Sequence, residues 1–325
     1  MLIDILLLAL GLVLLLGGGD IVVRGASALA MHFGVSSLVI GLTIVAFGTS
    51  APELAINTMA VLEGNTEISF GNIIGSNIAN IGLILGSAAL IRPLTIEGNI
   101  IAREIPMMIL ASLLMIVSSA DHVLRGETAT VDRADGLVLL LIFGVFLFYT
   151  IGDVIRKRPK DPLLLQAGDI RHTLPPTRSL VNFLLFAGGL AILIAGGRLT
   201  VDHAVSIAQS LRMPKEIIGL TVIAVGTSLP ELATSIIATV KGQTDIAIGN
   251  VVGSNIFNLL FINGICATIA PIPIPAGGMA DLAMMIALSL LLLPLGITHR
   301  KKIVRWEGGL LFVSYLTFSS WRIMA

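Results

Sequence analysis

Two stretches decide how this chain folds: VAFGTSAPELA, from Val45 to Ala55, and IAVGTSLPELA, from Ile223 to Ala233. Each sets a proline and a glutamate inside sequence that is otherwise apolar enough to lie in hydrocarbon. A helix breaker and an unpaired carboxylate are both costly there. The two stretches belong to a longer repeat. Sliding the chain on itself by 178 residues lays Ile40–Asn80 on Ile218–Asn258 without a gap, and about 23 of those 41 positions are identical.

The surrounding composition is that of an integral membrane protein: 55% of the 325 residues are hydrophobic, 12% are charged, and mean hydropathy is +0.98. Crossing about 30 Å of hydrocarbon takes about 20 apolar residues in a helix. Such windows fall at 2–27, 35–62, 68–91, 100–119, 135–152, 180–207, 214–240, 246–270, 280–298 and 306–323, which predicts an all-α fold of ten transmembrane helices. The first window has no basic n-region and continues past residue 20, so it reads as a helix rather than a secretory signal. Zero formal net charge and the lack of a basic run interleaved with aromatics speak against nucleic acid as a partner. Cys266 is the only cysteine, so no disulfide forms within the chain, and alone it builds no metal site. Nothing in the sequence calls for a cofactor or an obligate protein partner.

Basic residues set the expected orientation. The connections after the odd-numbered spans hold Arg24, Arg92, Arg103, the cluster Arg156–Lys160, Lys241 and the run Arg300–Lys302, whereas the other face holds Arg125, Arg133, Arg212, Lys215 and Arg322. By the positive-inside bias the first set is cytoplasmic and both termini lie outside a plasma (inner) membrane. The Pro- and charge-rich segment 153–179 is then a cytoplasmic linker between 1–152 and 180–325. Each half holds five spans, an odd number, so the second enters the membrane from the opposite side. The result is an inverted-topology repeat, an architecture of secondary transporters.

Proline at 52 has no amide hydrogen to give the carbonyl of Gly48, and Pro230 does the same to Gly226. A carbonyl released at membrane depth is tolerated where it lines a wet cavity, and there it is an oxygen ligand for a cation. Thr49 and Ser50 precede Glu53 by four and three residues, so their oxygens are expected near one face of the break. Carboxylate, hydroxyl and carbonyl oxygens suit hard cations such as Ca²⁺ and Na⁺. A second element follows in each half: GNIIGSNIAN (71–80) and GNVVGSNIFN (249–258) place Ser76 and Asn80, or Ser254 and Asn258, one helical turn apart. The glycines at 71, 75, 249 and 253 read as close helix packing, while the paired amides and hydroxyls exceed what interhelical hydrogen bonding requires.

The two GTS-x-PEL segments, each followed by GN-x-x-GSNI-x-N, resemble the paired alpha-repeats of the cation/calcium exchanger superfamily, above all its prokaryotic sodium/calcium exchangers. The resemblance implies an antiporter working by alternating access, with Na⁺ and Ca²⁺ bound midway across the bilayer between helices 2, 3, 7 and 8. It implies Glu53 and Glu231 as central ligands, with Thr49, Ser50, Thr227, Ser228, Ser76, Ser254, Asn80 and Asn258 around them, and the carbonyls of Ala46 and Ala224. It also implies that helices 1 and 6, which carry Gly17–Gly19 and Gly196–Gly197, slide across this core.

Some relatives have aspartate where this chain has Asn80 or Asn258, so two formal negative charges remain, which one Ca²⁺ or two Na⁺ neutralise. Left empty, two desolvated, mutually repelling carboxylates make an unloaded crossing unfavourable unless they are protonated, which is a physical reason for obligatory exchange. Proton/calcium exchange and potassium-dependent exchange are the alternatives within the superfamily, followed by a cation channel. An intramembrane hydrolase is disfavoured, because no His, Lys or Cys stands beside the motif hydroxyls to activate them.

Overall fold

Long apolar runs form the outer helices, and the repeat motifs form the interrupted ones. The computed structural model describes residues 2–96, 100–121, 126, 128–156, 176–211 and 224–324. Its helices are α1 (Leu2–Phe33), α2 (Ser37–Thr49), α3 (Ala51–Leu62), α4 (Thr66–Ile91), α5 (Ile100–Ser118), α6 (Arg133–Arg156), α7 (Pro176–Ser210), α8 (Ala224–Thr227), α9 (Leu229–Val240), α10 (Thr244–Ile269), α11 (Gly278–Lys301) and α12 (Arg305–Met324). Seven of them are long and apolar enough to cross a membrane, or eight if the bent pair α2–α3 is one span. That is fewer than the ten windows read from the sequence. The seventh window survives as the short α8 and α9, since part of it (214–223) lies outside the described residues. The tenth, α12, is long enough, but Glu307, Arg322 and its serines lower its apolarity.

The repeat is visible in the backbone. Helices α2 and α3 meet at 44° across Ser50 (φ −86°, ψ 4°), and α8 and α9 meet at Ser228 with nearly the same angles (φ −90°, ψ 8°). Pro52 and Pro230 therefore open a helix just past the break, where a missing amide hydrogen costs nothing. Each bent pair ends in the same turn. Gly64 (φ +81°) and Gly242 (φ +77°) take the left-handed conformation, and Asn65 and Gln243 donate their N–H groups to the carbonyls of Ala60 and Ala238, both at 2.8 Å. Only glycine takes that conformation without strain, so the turn into α4 or α10 is fixed twice by the same residue.

α4 and α10 form the centre, with 78% of each spanning window buried, against 28% in α1, α6 and α7. Ile73, Ile74, Ile81, Val251, Ile256 and Leu259 fill the main core between them, while large apolar side chains such as Leu6, Leu141, Phe148 and Leu184 cover the outside. A belt of that kind suits lipid rather than water. α4 and α10 both widen into π-turns, at Asn80–Leu85 and Phe257–Ile262. Two ribbons close the ends: β1 (Leu94–Thr95) pairs with β4 (Lys302–Ile303), and β2 (Thr130–Val131) with β3 (Ile272–Pro273). The 178-residue offset carries β1 onto β3, one strand of each ribbon.

α1 and α7 pack as an antiparallel pair around a second hydrophobic cluster that includes Val22, Ala26, Phe186 and Leu193. Gly11, Gly18 and Gly25, seven residues apart, let the backbones approach. A methyl group on Gly18 would stand 2.5 Å from the Leu193 nitrogen, and one on Gly196 would stand 2.5 Å from that of Leu15. Of the expected glycines, Gly18 and Gly196 therefore form the seam, Gly19 faces Ile237 instead, and Gly17 faces nothing within 4 Å. Asp20 pairs with Arg24, one helical turn on, at 2.7 Å, and also with Lys241 in the α9–α10 turn.

Between α11 and α12 the chain makes a turn that no glycine announces. His299, Arg300 and Lys301 all have positive φ (47°, 59° and 63°), at a cost of roughly 1–2 kcal/mol per residue. The buried Glu307 holds the turn: its carboxylate accepts from Thr298 Oγ1 and Val304 N at 2.9 Å each and lies 3.1 Å from His299 Nδ1. Replacing Glu307 by alanine strands these donors and is expected to destabilise the protein by about 2–3 kcal/mol. An unchanged thermal unfolding midpoint in detergent would show that the turn stands without it.

Candidate cation-binding site

The breaks aim the polar side chains of one repeat at the other. A continuous helix through Val45–Ala55 would stack Thr49 and Ser50 over Glu53, but the bend at Ser50 turns them outward from their own helix. Ser50 Oγ donates to Glu231 Oε1 at 2.9 Å and lies 3.0 Å from Ser254 Oγ. Ser254 Oγ reaches the same Glu231 oxygen at 3.5 Å, and Ser228 Oγ reaches Ser76 Oγ at 3.3 Å. The hydroxyls expected beside Glu53 in their own repeat thus also reach the glutamate and serine of the other repeat.

Two asparagines outside the predicted set complete the arrangement. Thr49 Oγ1 donates to Asn250 Oδ1 at 3.1 Å, and Thr227 Oγ1 donates to Asn72 Oδ1 at 3.2 Å. These contacts are the same contact carried across the repeat, since Asn72 and Asn250 are 178 residues apart, as are Thr49 and Thr227. A further pair, Asn77 and Asn255, also repeats; Asn255 Oδ1 accepts from Asn80 Nδ2 at 2.9 Å. The signal for all four lay in the repeated GN-x-x-GSN itself, although it does not say which partner each amide takes.

Glu53 and Glu231 are each 1% exposed and close enough to repel one another, and both carry an Oε2 with no hydrogen-bond partner among the described residues. Asn80 Oδ1 and Asn258 Oδ1 are likewise buried and unpartnered. An unmet buried carboxylate oxygen costs several kcal/mol in a low-dielectric interior. The donor set around these atoms is all oxygen, as hard monovalent and divalent cations require. The Ala46 carbonyl faces the break and accepts from Ser50 N at 3.0 Å and Thr49 Oγ1 at 3.3 Å. Ala224 opens the single turn of α8. Of the described histidines, His32 sits in the last turn of α1, His299 belongs to the Glu307 turn and His203 pairs with Asp4 at 3.2 Å; His122 and His172 lie outside the described residues.

The sequence model of the family described as "Sodium/calcium exchanger protein" matches residues 3–152 and 181–324. The CaxA protein of Alkalimonas amylolytica is 40% identical over 98% of this chain and 100% of its own length. Sodium/calcium exchanger MaX1 of Methanosarcina acetivorans is 34% identical over 97% of both chains. Among solved structures, the sodium-calcium exchanger NCX_Mj soaked with Na⁺ superposes with a TM-score of 0.84 at 31% identity, covering 98% of this chain and 99% of that one.

Proposed function

Because this chain belongs to the sodium/calcium exchanger family, a family of multi-pass membrane transporters, we propose that it exchanges Na⁺ for Ca²⁺ by alternating access at a site between α2–α3, α4, α8–α9 and α10. The observation that carries this reading is the pair of fully buried carboxylates, Glu53 and Glu231, one from each repeat, each with an unpartnered oxygen. Thr49, Ser50, Thr227, Ser228, Ser76, Ser254, Asn80 and Asn258 supply the neutral oxygens, with the carbonyls of Ala46 and Ala224.

One Ca²⁺, or two Na⁺, balances the two glutamates. Without a cation the carboxylates repel one another out of contact with water, so the unloaded protein crosses slowly and exchange is favoured over leak. This reading takes the chain as two inverted five-helix halves joined by the 153–179 linker, whose ends 153–156 and 176–179 are helical and whose middle, 157–175, lies outside the described residues. Hydrogen-bond pairs that map onto one another by the 178-residue offset support that arrangement, and Trp306 and Trp321, both exposed near the ends of α12, support its counting as a tenth span. With both termini outside, both ribbons fall on consistent faces: β1 and β4 on the cytoplasmic side, β2 and β3 on the outer.

Calcium uptake into proteoliposomes loaded with Na⁺, compared with K⁺ or choline loading and with an imposed pH gradient, tests the reading. Uptake that requires internal Na⁺ is expected. Uptake driven by the pH gradient alone would make the protein a proton/calcium exchanger, and uptake without any counter-ion would make it a channel.

A further inference from the structure

A hydroxyl that ligates a cation must turn its lone pairs toward the ion and send its single proton elsewhere. From the cross-repeat contacts we infer that Asn72 and Asn250 are positioning residues that take these protons and so set the affinity of the site for cations. The inference rests on the assignment of Thr49, Thr227 and Ser76 as ligands under the proposed function.

The geometry is specific. Asn250 is fully buried, and its Nδ2 donates to Ser235 Oγ at 3.0 Å and to the Glu231 carbonyl at 3.5 Å, which fixes its Oδ1 toward Thr49. Thr49 Oγ1 donates to Asn250 Oδ1 at 3.1 Å, with the carbonyl of Ala46 farther off at 3.3 Å and the Glu231 carboxylate also in its reach. Asn72 Oδ1 receives both Thr227 Oγ1 at 3.2 Å and Ser76 Oγ at 3.4 Å, while its Nδ2 has no partner among the described residues. The amide of Asn72 thus acts there as an acceptor alone. Each asparagine holds a threonine of the other repeat, so both halves must be in place before either hydroxyl is aligned. An amide does this without charge. A carboxylate in the same place would accept equally well but would add a third negative charge to a site that two Na⁺ or one Ca²⁺ already neutralise.

The test compares Asn72→Leu, Asn72→Asp, Asn250→Leu, Thr49→Val and the double variant Thr49→Val/Asn250→Leu in proteoliposomes, reading half-saturation for Na⁺ and Ca²⁺ and the maximal exchange rate. Removing an outer partner of a cation ligand typically weakens binding 10–100-fold, so both leucine variants are expected to raise half-saturation at least roughly tenfold while maximal exchange persists. Asn72→Asp, which keeps the acceptor, is expected to recover most of that loss and to favour Ca²⁺ over Na⁺. The double variant is expected to bind no more weakly than Thr49→Val alone, because the amide acts through that hydroxyl. Additive losses in the double variant, or aspartate at 72 as damaging as leucine, would overturn the inference by making the asparagines plain structural struts. If Asn250→Leu does not fold, the Asn72 pair decides, since there only an acceptor is exchanged. Unchanged half-saturation in Thr49→Val would instead overturn the ligand assignment itself, whereas weakened Thr49→Val beside normal leucine variants would overturn this inference alone.

Discussion

Glutamine in place of Glu53 or of Glu231 is expected to cut sodium-driven calcium exchange by at least about a hundredfold while leaving the protein folded. Glutamine keeps the volume and one carbonyl oxygen, so packing in the buried centre survives. What it removes is half of the site's charge. A dication desolvated against one carboxylate is left with an uncompensated positive charge in a medium where that charge is costly. The two substitutions differ in detail. Glu231 Oε1 also anchors Ser50 and Ser254, so Glu231→Gln disturbs the orientation of two hydroxyls as well. Glu231→Gln is therefore expected to lose more Na⁺ affinity than Glu53→Gln. Calcium flux at near wild-type rates in either variant, in protein shown by its thermal unfolding to be folded, would sink the proposed site.

The second large effect concerns packing. Gly18→Ile places a branched side chain where even a methyl group would lie 2.5 Å from the Leu193 backbone nitrogen, and backbone cannot step aside as a side chain can. Overpacking of a well-filled core usually costs about 1–3 kcal/mol, and forcing two helix backbones apart along a shared seam costs more. Loss of folded protein on expression, or of all exchange, is the expected result. Gly17→Ile, one position away with nothing within 4 Å, is the control and should be tolerated. Equal behaviour of the two variants, measured by yield of monodisperse protein and by flux, would contradict the close approach of α1 and α7.

Much of this was legible in the sequence. The exchanger family, the membrane class and both breaks follow from GTS-x-PEL and GN-x-x-GSNI-x-N, because proline, glycine and a charge in apolar sequence each have few physical explanations. Harder to read were features that depend on which side chain meets which across the repeats. Spacing along one helix places Ser50 with Glu53, yet the 44° bend sends it to Glu231. The same holds for Asp20, whose partner Arg24 is evident from an i, i+4 spacing while Lys241, about 220 positions away, is not. The turn at His299–Lys301 was hidden for a different reason. It contains no glycine, and the buried carboxylate of Glu307, eight residues past His299, holds it in place.

The two terminal ribbons have a mechanical consequence. Between them they join the ends of α4, α5, α6, α10, α11 and α12 by backbone hydrogen bonds, and tight turns carry α3 and α9 into the same frame. α1 and α7 belong to neither ribbon. The described contacts that bind this pair to the frame include side-chain packing on Ile40, Val45, Ala233, Ile237 and Ile246, the Asp20–Lys241 ion pair, and Ser27 Oγ donating to Gln243 Oε1 at 2.8 Å. Side-chain contacts of this kind can be exchanged for equivalent ones a turn further along, whereas a ribbon must be broken before it can move. Among the described residues, backbone ribbons therefore brace α4, α5, α6, α10, α11 and α12 to one another and leave α1 and α7 unbraced by any strand.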